Sequence, residues 1–204
     1  NTLLTAEQYA YILADCRARV LFVSEELWPA LREVAGRMSA LEHVVISGKD
    51  ADGQLKFSDE IVKESDQFAT AETHPEEPAF WLYSSGSTGM PKGVRHLHAS
   101  LAATADTYAK QELGIREDDV GLSAAKLFFA YGLGNALTFP MSVGATTVLN
   151  SERPTPARMF ELMQKYNPSI FFGVPTLFAA MLNDETLKKA SGGARLRVCT
   201  SAGE

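Results

Sequence analysis

Short runs of β-branched and aromatic residues alternate with longer stretches whose apolar positions recur at helical spacing. That alternation leaves the chain few architectures. "RVLFVS" (19–24), "HVVIS" (43–47), "AFWLYS" (79–84), "DVGLSAA" (119–125), "ATTVLN" (145–150), "SIFFGV" (169–174) and "LRVCTS" (196–201) read as strands. Thr5-Ala6-Glu7-Gln8 is a capping box that opens a helix to about Cys16, and "EELWPALREVAGRM" (25–38) returns to helical spacing. "SDEIVKES" (58–65) reads as a short helix, and a longer one runs from about His98 to Leu113. "YGLGNALTFPMSVG" (131–144) is a helix with a glycine at its exit. Thr155 caps "PARMFELMQKYN" (156–167), with Pro156 at the first helical position, and Pro175 opens another helix. Strands alternating with helices of this length predict an α/β fold, layered, with a largely parallel sheet flanked by helices.

Composition removes several function classes. A chain of 204 residues, 46% hydrophobic and 22% charged, buries a real core. No apolar run approaches the roughly 20 residues of a membrane helix, and the opening "NTLLTAEQYA" has no signal-peptide shape. A net charge of −6 gives no basis for nucleic acid or an anionic membrane as partner. Cys16 and Cys199, the only cysteines, stand far apart and read as reduced thiols of a cytoplasmic protein. "TAETHPEEPA" (70–79) is polar, holds two prolines and reads as a connector near 70–78. The chain starts at a helix and stops just after a strand of buried type. It is therefore expected to be a fragment, truncated at both ends.

The stretch "YSSGSTGMPKGV" (83–94) stands out chemically. In open α/β folds ligands sit beyond the carboxyl ends of strands, and Tyr83-Ser84 is such an end. Glycines let backbone N–H groups turn toward an anion, hydroxyls add donors, and Lys92 adds a positive charge. Together these describe a phosphate-gripping loop. A solvated Ser/Gly linker has a similar composition, but strand-like runs rarely bracket a linker. The Walker pattern fails, because Pro91 precedes Lys92 and Gly93 follows it. "GLGNAL" (132–137) has Leu137 where a dinucleotide fingerprint needs its third glycine.

This stretch resembles the signature loop of the adenylate-forming enzymes, which include acyl-CoA synthetases, aryl-CoA ligases, luciferases and peptide-synthetase adenylation domains. The resemblance covers the whole chain. "KLFFAYGLGNALTFPMSVGATTVL" (126–149), "FFGVPTLFAAML" (171–182) and "CTSAGE" (199–204) are most similar to benzoate-CoA ligases. It implies that residues 1–204 are part of a large N-terminal AMP-binding domain. It also implies two half-reactions: a carboxylate and Mg2+-ATP give an acyl-adenylate and pyrophosphate, and CoA then displaces AMP. Ser84, Ser85, Gly86, Ser87, Thr88, Gly89 and Lys92 match the residues that grip the ATP phosphates. Phe129, Ala130, Tyr131, Gly132, Ser201 and Ala202 match the aromatic acid pocket, and Gly203 and Glu204 the segment beside the adenine.

The same resemblance places the magnesium-binding acid, the ribose-binding acid and the adenylation lysine downstream of Glu204, so no catalytic residue is assigned here. The chain alone is expected not to complete the reaction. Its partners are then small molecules, and oligomeric state stays open. A peptide-synthetase reading needs an acid after the aromatic at Phe129, and Ala130 stands there. Two alternatives remain: an acyl-CoA synthetase for another acid, and a non-catalytic nucleotide-binding fragment.

Other polar and aromatic groups have plainer readings. His96 and His98 are spaced to share a strand face but lack a third ligand, so no metal site is assigned. His43 and His74 read as surface residues, and Glu76-Glu77 and Glu117-Asp118-Asp119 as solvated turns. Phe128-Phe129 and Phe171-Phe172 are core by default, and only Phe129 is lifted above that default by the resemblance.

Overall fold

A computed structural model describes residues 2–85, 90–184 and 194–202, and for Ser85 the backbone alone. The chain divides into two compact units, Asn1–His74 with Ala79–His96, and Pro75–Pro78 with Leu97–Glu204. Residues 67–74 form neither helix nor strand.

The first unit begins with α1 (Ala6–Asp15). Its predicted capping box is present: Thr5 Oγ1 accepts from Gln8 N–H, and Gln8 Oε1 accepts from Thr5 N–H. Then come β1 (Val20–Ser24), α2 (Trp28–Ala35), β2 (His43–Ser47), β3 (Leu55–Lys56) and α3 (Phe57–Ile61). β1, β2 and β3 form a parallel sheet in that order. Its core gathers Val23, Ile46 and the apolar face of α2, namely Trp28, Leu31 and Ala35. β4 (Pro78–Ser85) and β5 (Pro91–Leu97) pair as a separate two-stranded sheet.

The second unit carries α4 (His98–Thr104), which continues without a break as wider π-helical turns over Ala105–Glu112. β6 (Val120–Ser123) follows, then α5 (Ala130–Leu133), a π-helical turn over Gly134–Thr138, and α6 (Phe139–Met141). The wide turn ends two residues before Pro140, which has no N–H to donate to the helix. Gly144, at φ 76°, turns the chain into β7 (Thr146–Val148). α7 (Pro156–Tyr166) is capped by Thr155 Oγ1 and ends at Asn167 in the left-handed conformation. β8 (Ile170–Gly173), α8 (Pro175–Asn183) and β9 (Val198–Ser201) complete the unit.

These strands form a parallel sheet in the order β7-β6-β8-β9. Every residue of β8 is buried, and alternate side chains serve opposite faces. Phe171 meets Met159, Leu162 and Leu177 of α7 and α8 on one face. Ile170 and Phe172 meet Ala105, Ala109 and Phe139 on the other. Each phenylalanine contributes about 2–3 kcal/mol through its burial. The expected α/β class, parallel and helix-flanked, is what the chain adopts.

A polar clamp closes the amino end of this sheet. Asp119, Ser169 and Arg197 each stand one residue before a strand: β6, β8 and β9. Ser169 Oγ donates to Asp119 Oδ1 at 2.6 Å, Arg197 Nη2 to Asp119 Oδ2 at 2.5 Å, and Arg116 N–H to Asp119 Oδ2 at 2.9 Å. The sequence made Asp119 part of a solvated acidic turn; it is instead 3% exposed, because its partners come from distant parts of the chain. Burial alone raises the Asp119 pKa, but the bonds from Arg197, Ser169 and Arg116 outweigh it and hold the carboxyl at about 2.

Candidate functional site

Two groups of candidate residues sit at strand ends, one in each unit. In the first unit, Ser84 and Ser85 are the last residues of β4, and Lys92 is the second residue of β5. Ser84 closes its strand as the sequence predicts, whereas Ser85 and Lys92, read as loop, are corrected: strand pairing takes them into β4 and β5. Pro91 is tolerated because it opens β5 and owes the ladder no donor there. Gly86, Ser87, Thr88 and Gly89 lie outside the described residues.

The strands on either side are tied down. Tyr83 Oη donates to Asp15 Oδ2 of α1 at 2.5 Å, and burial together with that bond pushes the phenol pKa well above its ordinary value. A β-carbon on Gly93 would come within 3.0 Å of the Tyr83 ring, so glycine is what lets β5 pass that close. Phe80 and His96 stack across the two strands at 4.9 Å between ring centres. His96 thus has a packing role, while His98 opens α4, so the two imidazoles do not share a strand face. Ser84 and Lys92 are exposed beside this anchored pair of strands.

In the second unit the candidate pocket residues gather at the carboxyl end of the parallel sheet. After β6 the chain runs through Lys126–Phe129 and turns into α5. Phe129 N–H bonds the Lys126 carbonyl at 3.1 Å, which closes the turn. Gly132 packs directly on that carbonyl, where a β-carbon would fall 2.0 Å from Lys126 O and 2.8 Å from Ala125 O. No other residue fits without moving the backbone. Tyr131 Oη and Thr200 Oγ1 lie 2.6 Å apart, joining α5 to β9 next to Ser201 and Ala202. The Tyr131 ring meets Phe172 edge-on, and burial raises its pKa, opposed in part by the Thr200 bond. Phe129 and Ala130 are exposed, Ser201 is exposed, and Ala202 is half-buried. Gly203 and Glu204 lie outside the described residues.

Phe128, read as core, is instead 39% exposed and packs on Phe129 at 4.5 Å. It borders a cleft of about 290 Å³ shared with Lys126, Leu127, Val148, Leu149 and Asn150. Sequence reasoning missed Lys126 and Thr200. A lone lysine inside the apolar run "SAAKLFFAYG" is the signal that marks the first; nothing local marks the second. Among the described residues, no three His, Cys, Asp or Glu side chains converge as a metal site.

With this geometry in hand, known proteins supply the context. Over all 204 residues the chain is 53% identical to the benzoate–CoA ligase of Thauera aromatica. It is 47% identical to the 4-hydroxybenzoate–CoA/benzoate–CoA ligase of Rhodopseudomonas palustris. It spans 38% of the length of each of these relatives. A crystal structure of a benzoate CoA ligase from Burkholderia xenovorans LB400 matches with a TM-score of 0.88 at 43% identity, covering 100% of this chain and 40% of that one. The anthranilate CoA ligase AuaEII, solved in complex with anthranoyl-AMP, matches with a TM-score of 0.93 at 37% identity, again over 100% of this chain and 40% of the other. The model of the AMP-binding enzyme family matches residues 1–204 throughout, and the chain belongs to that family.

Proposed function

We propose that the whole protein is an ATP-dependent aryl-CoA ligase acting on benzoate or a closely similar aromatic acid. One observation carries the reading. The segment Phe129–Gly132 is fixed at the carboxyl end of the sheet by the Tyr131–Thr200 bond and by the tight seat of Gly132, in a chain 53% identical to a benzoate–CoA ligase. Residues 1–204 furnish part of its N-terminal domain, with 70–78 as a connector. Cytoplasm is the compartment we assign.

In the first half-reaction a carboxylate oxygen attacks the α-phosphorus of ATP, and the bond to the β-phosphate bridging oxygen breaks to release pyrophosphate. The backbone and hydroxyls of Ser84, Ser85, Gly86, Ser87, Thr88 and Gly89 hold the β- and γ-phosphates, and the Lys92 ammonium offsets the charge that builds on them. Mg2+, when bound to the ATP phosphates, would add charge neutralisation there; among the described residues no cluster of three His, Cys, Asp or Glu side chains stands ready to hold it. Phe129 stands at the carboxylate end of the acid. Ala130 leaves room for a ring, Tyr131 forms an aromatic wall, and Gly132, Ser201 and Ala202 close the slot without bulk. Gly203 and Glu204 flank the adenine. In the second half-reaction the CoA thiolate attacks the acyl carbon, and AMP leaves with the electrons of the carbon–oxygen bond.

The test is Tyr131. Replacing it with alanine removes the ring wall and leaves Thr200 without its partner. In the whole protein kcat/KM for benzoate should fall by on the order of 2–3 kcal/mol, roughly 30- to 150-fold, while KM for ATP holds within about twofold. Tyr131→Phe should cost only about fivefold, since one hydrogen bond is lost and the ring stays. Benzoate kinetics unchanged in Tyr131→Ala would overturn the aromatic slot.

A further inference from the structure

We infer that Lys126 is a positioning residue for the acid pocket, an ammonium staple that ties the pocket-bearing turn after β6 to the loop after β7. This rests on the function proposed above. Lys126 Nζ donates to Asn150 O at 2.5 Å and to Glu152 O at 2.6 Å. Its own carbonyl accepts from Phe129 N–H and forms the floor under Gly132. One residue therefore touches the pocket segment through its backbone and the neighbouring loop through its side chain.

The receiving loop is itself braced. Asn150 Nδ2 donates to Glu152 O at 2.8 Å, Arg158 Nε donates to Asn150 Oδ1 at 3.2 Å, and Arg158 also pairs with Glu152 and Glu161. Arg158 stands in the first turn of α7, so the chain of contacts runs from a rigid helix to the turn that carries Phe129 and Tyr131. Burial pushes the Lys126 pKa below its ordinary value, opposed in part by the nearby Glu152 carboxylate. An ammonium held between two backbone carbonyls fixes geometry that apolar contact alone leaves loose.

The pinned turn sets where the ring and carboxylate sit, not how ATP is held. Removing the ammonium should therefore move one substrate's kinetics and spare the other's. In the whole protein, Lys126→Met should lower kcat/KM for the acid about 10- to 100-fold, mainly through KM, with KM for ATP within about twofold. Lys126→Arg keeps donors for both carbonyls and should recover to within about threefold of wild type. Hydrogen exchange over 127–133 should quicken in Lys126→Met and not in Lys126→Arg.

The kinetics are run with benzoate, 4-hydroxybenzoate and octanoate, using whichever acid the wild type activates best. A wild type that favours octanoate counts against the benzoate assignment alone, because the KM split and the exchange rates still report on the staple. An unchanged acid KM with only kcat or melting temperature lowered, or an Arg variant as impaired as Met, would overturn the staple.

Discussion

Asp119→Ala should cost on the order of 2–4 kcal/mol of unfolding free energy, because it removes a buried carboxylate whose hydrogen bonds, as bonds to a charged group, contribute about 1.5–3 kcal/mol each. The variant removes the acceptor shared by Ser169 Oγ, Arg116 N–H and Arg197 at the amino ends of β6, β8 and β9, although Ser169 Oγ keeps its bond from Val120 N–H and Arg197 keeps the Leu113 and Gly114 carbonyls. For a domain with a usual stability of about 5–15 kcal/mol that is a large share. The folded pKa of about 2 lies below the ordinary 3.8, so the contribution is complete above pH 3.8 and is lost as pH falls through 2. Its size is on the order of 2 kcal/mol. Urea denaturation of wild type from pH 5 to pH 2 should show that loss, and Asp119→Ala should flatten it. Equal pH slopes in the two proteins would contradict the clamp.

Lys92→Ala should have the opposite profile, a large kinetic effect and a small structural one. Lys92 is exposed on β5, so its loss should change stability by less than about 0.5 kcal/mol. If its charge meets the phosphates in the transition state, adenylation should slow by on the order of 2–4 kcal/mol, roughly 30- to 800-fold. Pyrophosphate exchange at wild-type speed in Lys92→Ala would mean that the lysine is only solvated.

What the sequence disclosed and what it hid divide along contact range. Local patterns were readable: the capping box at Thr5–Gln8, the Thr155 cap with Pro156, and the buried run of β8 all formed as the spacing predicts. β5 escaped because Pro91-Lys92-Gly93 looks like turn material, and only its pairing with β4 makes it a strand. The predicted helix over 98–113 exists, but the widening of its second half to π-helical turns is not encoded in apolar spacing. Asp119 was hidden because its environment comes from Ser169 and Arg197, 50 and 78 residues away. The Lys126 contacts come from 24 and 26 residues away. In the candidate site, residue type and order were legible in "FFAYG", while the Thr200 anchor and the lysine staple needed the fold.

The most direct measurement is acid-dependent exchange of radiolabelled pyrophosphate into ATP by the whole protein, with benzoate, octanoate and phenylalanine each as the only acid. Rapid exchange is expected with benzoate, and little above background with the other two. Exchange driven faster by octanoate or phenylalanine than by benzoate, or by no acid at all, would contradict the proposed function.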